Sequence, residues 1–206
     1  MAGSGTRSRG NYARGLATRE QIVAATREVM VERGFHGATI GDIAERAGLT
    51  RAGVLHHFES KEHLLAAAME SRYAENGVWY RAQTEAGVCV LDIYVQLMER
   101  QISRPESATL LLVLASASTD ADHPAHDWYH ERYAFFRTAL PKQVRTDQER
   151  GLVRSELDPL LVAIQLIALM EGLLLQWLND QDSFDPVEAM RAFTDSLRPP
   201  KSGLKA

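Results

Sequence analysis

Two hydroxyl-bearing helix starts, Thr39 and Thr50, stand eleven residues apart with Gly48 between them. That spacing leaves room for a helix of only about two turns. Thr39-x-x-Asp42 has the spacing of a capping box, in which two free N–H groups at a helix start are satisfied reciprocally. Ile40, Ile43, Ala44 and Ala47 form the apolar face of this short helix, and Gly48 stops it. The next helix begins at Thr50 and runs to about Phe58. Two short helices joined across Gly48-Leu49-Thr50 have the turn length of a helix-turn-helix unit. In such a unit the first helix crosses a DNA backbone, and the second presents its N-terminal residues to base edges in the major groove. Helix starts also suit phosphates, because free N–H groups and the macrodipole favour an anion there.

The flanking sequence reads as helix on both sides. Thr18-x-x-Gln21 is a further capping box by spacing, and Ile22, Val23, Thr26, Val29 and Met30 follow as one apolar stripe that Gly34 ends. Ser60 caps a fourth helix with Leu64, Leu65, Ala68 and Met69 on its inner side. Residues 1–16 read as a flexible basic arm, 17–62 as the helix-turn-helix domain, 63–198 as a helical body and 199–206 as a tail. Charge divides in the same way. Residues 1–62 carry nine Lys+Arg against seven Asp+Glu, whereas residues 63–206 carry fourteen against twenty. A basic front on an acidic body is the pattern of a chain whose N-terminal part meets a polyanion. Arg7, Arg9, Arg14 and Arg19 either enter a minor groove, as arms of other DNA-binding domains do, or simply remain in solvent.

The segment 18–65 resembles the DNA-binding domain of the TetR family of bacterial repressors. It has Gly34-Phe35, Thr39, Asp42-Ile43-Ala44, Ala47-Gly48-Leu49-Thr50, Phe58 and Ser60-Lys61-Glu62, in order and at the family spacing. The resemblance implies that Thr39 contacts a phosphate and that Thr50, Arg51, Ala52 and Gly53 occupy the base-contacting start of the recognition helix. Arg51 is the candidate for base readout, since its fork can bind guanine O6 and N7 together. It also implies that His56 and His57 lie near phosphates and that Lys61 binds one. The family commonly has Tyr where this chain has Leu55. Leu55 cannot donate a hydroxyl to a phosphate, so either it packs inward or His56 takes over.

Longer helices follow: Val88–Ser103, one opened by Pro105, one from about Asp122-His123-Pro124 to Gly151 that Pro141 should kink or split, one opened by Asp158-Pro159, and a last one opened by Asp185-Pro186 with a capping box at Glu188. Helical period dominates and no run alternates as a strand would, so the fold class is all-α. Residues 159–178 are apolar at fifteen of twenty positions, with Glu171 as the sole charge. That length could span a bilayer, but Gln165, Glu171 and Gln176 make a helix buried in a helical assembly the cheaper explanation. With the last helix (Val187, Met190, Phe193, Leu197) it could pair with its copy across a two-fold axis.

The resemblance implies a homodimer on palindromic double-stranded DNA, with a small-molecule effector bound in the body. Trp79, Tyr80, Tyr94, Met98, Trp128, Tyr129, Tyr133, Phe135 and Phe136 are the candidates to line a pocket for an apolar or aromatic effector. Glu171 would contact a polar group of that ligand or hydrogen-bond across the dimer. His126 and His130, four apart, could hold a metal, but no third ligand is fixed by sequence; no metal or cofactor is expected. The single cysteine, Cys89, excludes an internal disulfide framework, and no secretory signal is visible, which points to the cytoplasm. An effector-releasable repressor is the expectation. A small-molecule-binding helical enzyme is the alternative, but the chain has no nucleophile elbow, no readable carboxylate pair and no phosphate loop.

Overall fold

The computed structural model describes residues 5–200, with side chains described from residue 13 onward except those of Phe35 and His36. Among the described residues all regular structure is helical: α1 (Gly5–Gly37), α2 (Ile40–Arg46), α3 (Arg51–His57), α4 (Lys61–Glu85), α5 (Val90–Ile102), α6 (Pro105–Ala117), α7 (His126–Glu149), α8 (Pro159–Asn179) and α9 (Pro186–Ser196).

The short helices end where the sequence says they should. Thr39 accepts from the Asp42 N–H while the Asp42 carboxylate accepts from the Thr39 N–H, closing the capping box. Gly48, at φ 63°, turns the chain so that its own N–H reaches the Glu45 carbonyl and the Leu49 N–H reaches Ala44. This is a Schellman ending, which requires the left-handed conformation that glycine adopts without strain. Asp158 and Asp185 each cap two N–H groups ahead of a proline at the first helical position. The reciprocal half of the box expected at Glu188 does not form.

Two expectations need correction. First, α1 is helical back to Gly5, through much of the segment expected as an arm. Thr18 is therefore an interior residue, and its hydroxyl donates back to the Arg14 carbonyl (2.9 Å) instead of capping a helix start. Gln21, freed from the box, donates to the Ala47 carbonyl at the end of α2 (2.8 Å). Gly34 does break the helix locally, at φ 69°. Second, α7 runs through Pro141 as one helix. Leu140 and Val144 on either side are buried, so packing holds the segment in place despite the lost N–H donor. Of the residues expected to pair with a second copy, Met190 of α9 and Leu197 at its end are buried in their own chain, and Val187 and Phe193 are partly buried against the same core, where α9 packs on α5 and α8.

One apolar core runs from Ile22 to Leu197 without a break near residue 60. Helix α4 starts in the head and ends in the body, and α6 packs against α1 as well as α4, α5 and α8. Arg27 of α1 reaches Glu75 of α4, which also accepts from Arg72. The head is thus seated on the body through α1, α4 and α6. At the far end, Asp147 of α7 is fully buried and its carboxylate accepts from the Val90 N–H at the start of α5 (2.8 Å). Cys89 at the cap position supplies no such bond. Arg150 pairs with Asp147 and donates to the Gly87 carbonyl.

Candidate nucleic-acid interface and ligand cleft

Helix α3 is held from three directions. Thr50 accepts from the Gly53 N–H (3.0 Å), Val54 and Phe58 bury the inner side, and the guanidinium of Arg19 on α1 lies over the Phe58 ring, 4.4 Å from its centroid. What remains outward is Thr50, Arg51, Ala52, Leu55 and His56, with Gly53 and His57 half-buried. Arg51, Ala52, Leu55 and His56 recur at i, i+1, i+4 and i+5, so they share one face. Leu55 does not pack inward: it is 37% exposed. His56 and His57 meet edge to face, 5.4 Å apart.

Thr39 sits exposed at the start of α2, but its donors are in use. Its hydroxyl donates to Asp42 Oδ2 at 2.6 Å and its N–H to the same oxygen at 3.1 Å. These bonds, with Arg33 alongside, hold the Asp42 carboxyl below its usual range. A phosphate at Thr39 must therefore take the hydroxyl over from Asp42. Lys61 is the first residue of α4, after the Ser60 cap. Glu62 beside it is held ionised, its pKa lowered first by the Ser60 hydroxyl and more weakly by His123 from the α6–α7 connection. A body segment thus lies within electrostatic reach of the residues that follow the recognition helix.

The aromatic candidates of the body do not form one pocket. Tyr94 and Met98 are core on α5, and Tyr129 is buried with its hydroxyl donating to the Leu111 carbonyl (2.7 Å). Burial pushes the Tyr94 and Tyr129 phenols up. Trp79 lies under the Arg100 guanidinium, Tyr80 is partly buried against the core, and Phe135 faces outward at 62% exposure. These positions follow apolar periodicity, which marks a core face and a cavity wall alike.

A centre that the sequence reading missed is Arg132. Its guanidinium lies over the rings of Tyr73, Phe136, Tyr133 and Tyr129, at 4.6, 4.9, 5.1 and 5.7 Å from their centroids. It donates to Tyr73 Oη (2.8 Å) and to Glu171 (3.1 Å). Tyr133 Oη donates to Glu171 as well, 3.0 Å from both oxygens. Trp128 packs edge-on against Tyr73. Burial pulls the Arg132 pKa down, but Tyr73 and Glu171 outweigh it and the net direction is upward. Burial raises the Tyr73 phenol to about 12. The signal was present in sequence: a lone carboxylate in an apolar helix calls for a cation on a facing helix. Beside this centre, Tyr133, Arg137, Ile164, Ile167, Ala168 and Glu171 line a cleft of about 260 Å³ between α7 and α8, open on one side. Of the predicted effector residues, Tyr133 and Glu171 reach it.

His126 and His130 stack 6.3 Å apart, and His126 Nδ1 lies 2.8 Å from the Ser118 carbonyl oxygen. Among the described residues no group of three or more His, Cys, Asp or Glu side chains is placed to hold a metal. Helix α8 is long and apolar enough to cross a membrane by length and composition, yet Leu166, Leu173 and Leu174 on its inner side are buried in the core shared with the other helices.

A capped helix-turn-helix head carried on an all-helical body defines a DNA-binding protein of the helix-turn-helix class. Residues 22–68 match the family model for bacterial regulatory proteins of the tetR family, and residues 91–198 match that for the C-terminal part of BetI-type transcriptional repressors. The chain belongs to the TetR family. It is 26% identical over 190 residues to the transcriptional regulator TtgR of Pseudomonas putida, covering 87% of this chain and 89% of the relative. A transcriptional regulator from Saccharomonospora viridis, solved in complex with choline, superposes with a TM-score of 0.66 at 26% identity over 86% of this chain and 93% of its own. Escherichia coli NemR in its reduced form shares the fold, with a TM-score of 0.68 at 21% identity over 91% of this chain and 100% of its own. The chain is a DNA-binding transcriptional regulator and not an enzyme.

Proposed function

We propose that this regulator acts as a homodimeric repressor that grips a palindromic operator in the bacterial cytoplasm and is released by a small-molecule effector. The outward face of α3, with Arg51 and His56 on a helix capped and buried on its other side, carries the reading. The family model's repressor description for the C-terminal part supports the sign.

The dimer face is α8. Leu161, Ile164 and Leu175 are 57%, 42% and 54% exposed. Exposed apolar area of this kind is stabilised by a second copy. The two heads would then meet successive major grooves, which lie about 34–36 Å apart.

The α7–α8 cleft offers an effector apolar walls from Ile164, Ile167 and Ala168 and polar groups from Tyr133, Arg137 and Glu171. Helix α6, which packs on α8 and on α1, provides a mechanical route from that cleft to the head. An effector shifts the equilibrium only by its difference in affinity for the two head spacings. The test combines analytical ultracentrifugation with fluorescence-anisotropy titration against duplexes enriched from a random pool. A dimer that binds a palindromic duplex supports the reading. A monomer, or a chain that enriches no duplex at low salt, overturns it.

A further inference from the structure

Helix α3 presents an apolar side chain, Leu55, that stays 37% exposed among the described residues. Leu55 takes no part in the core cluster, whereas Val54 beside it and Phe58 beyond it are buried. Ala52 and Arg51, three and four residues earlier, are exposed on the same face. Leu55 therefore stands one turn behind the residue placed to read a base, on the surface continuous with the DNA interface. It lacks a hydroxyl and cannot hold a phosphate. Arg51 has a fork for base-edge acceptors, but Leu55 and the Ala52 methyl have only apolar surface to offer. Within the major groove the base edges supply one apolar group, the 5-methyl of thymine.

We propose that Leu55, together with Ala52, forms a methyl-reading patch that selects thymine at one position of each half-site, next to the base met by Arg51. This rests on the reading of α3 as the groove helix. The consequence is specificity without a hydrogen bond: replacing that thymine by deoxyuridine removes the methyl and leaves the hydrogen-bonding edge unchanged. Uncovering one methyl weakens binding about fourfold, and about fifteenfold when both half-sites of a palindrome are changed.

The experiment uses the full-length chain. A preferred duplex is first enriched from a random double-stranded pool. Each thymine is then replaced in turn, in both half-sites, by deoxyuridine, and affinity is read by fluorescence anisotropy at fixed salt. One thymine position per half-site is expected to show the fifteenfold loss with the wild-type chain. Leu55→Ala should abolish that particular loss while binding the original duplex more weakly, and Leu55→Met, which keeps the apolar bulk, should retain it. Because Leu55 is exposed, both variants should keep their circular dichroism spectrum and sedimentation behaviour. If no thymine shows a penalty, or if the penalty survives unchanged in Leu55→Ala, the methyl-reading role is wrong although α3 still binds DNA. If Leu55→Ala instead alters the oligomeric state, the side chain belongs to a protein contact and the proposal falls. A pool that yields no enriched duplex refutes the DNA-binding reading itself.

Discussion

Asp147 offers the sharpest stability prediction, because a fully buried carboxylate at the end of one helix serves as the cap of another. In Asp147→Ala the Val90 N–H loses its carboxylate acceptor at 2.8 Å. Hydrogen bonds to charged groups contribute about 1.5–3 kcal/mol, and loss of a helix cap alone costs about 1 kcal/mol. Cys89 cannot substitute, since its side chain makes no cap bond. Asp147 also accepts from Gln143 Nε2 at 3.4 Å, and its charged partner Arg150 has a side chain 41% exposed, so water takes over most of that charge and adds little to the cost. The hydrogen-bond and cap figures describe the same bond, so the destabilisation is about 1.5–3 kcal/mol. For a chain of this size each kcal/mol moves the unfolding midpoint by about 2–4 °C, so the shift should be on the order of 3–12 °C. The measurement is thermal unfolding by circular dichroism at equal protomer concentration, with Asp147→Asn alongside. The amide keeps an acceptor but not the charge and should recover part of the loss. A midpoint for Asp147→Ala within about 2 °C of wild type would show that the α5 start needs no cap from α7.

Other outcomes follow from the head and the body separately. Arg51→Ala should relax base preference at one position of each half-site, costing about 1–3 kcal/mol there; equal weakening on all sequences would make Arg51 a phosphate contact. Affinity for any duplex should fall linearly in log–log terms with salt, with a slope set by the number of phosphates neutralised, and a flat response would refute phosphate-driven binding. Arg132→Leu leaves Glu171, whose side chain is 22% exposed, facing Tyr133 alone; a loss of about 2–4 kcal/mol is expected, smaller than for a fully buried pair, with partial restoration in the double variant Arg132→Leu/Glu171→Leu. No restoration would mean that the two do not act as a pair. Asp42, Glu62 and Glu75 all have pKa values below their unfolded ones, the first two chiefly through the Thr39 and Ser60 hydroxyls and Glu75 through Arg27. Their stabilisation is therefore complete above the unfolded carboxylate value of about 4 and is lost as pH falls through the lower folded values. Acid unfolding of Arg27→Met should show a weaker pH dependence over that range; an unchanged curve would remove Glu75 from the set.

The head was legible because its determinants are local. Thr39, Asp42, Gly48, Thr50 and Ser60 act through bonds to neighbours within a few residues, and such bonds follow from residue type and spacing alone. The same logic placed Asp158-Pro159 and Asp185-Pro186. It misled at Thr18, where a correct capping spacing lies inside a longer helix and the hydroxyl turned to the preceding turn. Pro141 shows a related failure, since flanking residues held by tertiary packing outweigh a local breaker.

The sequence by itself determined that this chain is helical, where its helices stop, and that a head of turn-linked short helices presents Arg51. Only the tertiary structure decided which apolar stripes are used up internally. It sent Tyr94, Met98, Tyr129 and Met190 to the core, left Leu55 and the outer side of α8 uncovered, and joined Arg132 to Glu171 from helices 39 residues apart. Periodicity records that a face is apolar but carries no information about which partner covers it. That choice depends on how helices of unequal length fill one volume, and on which charge happens to face which.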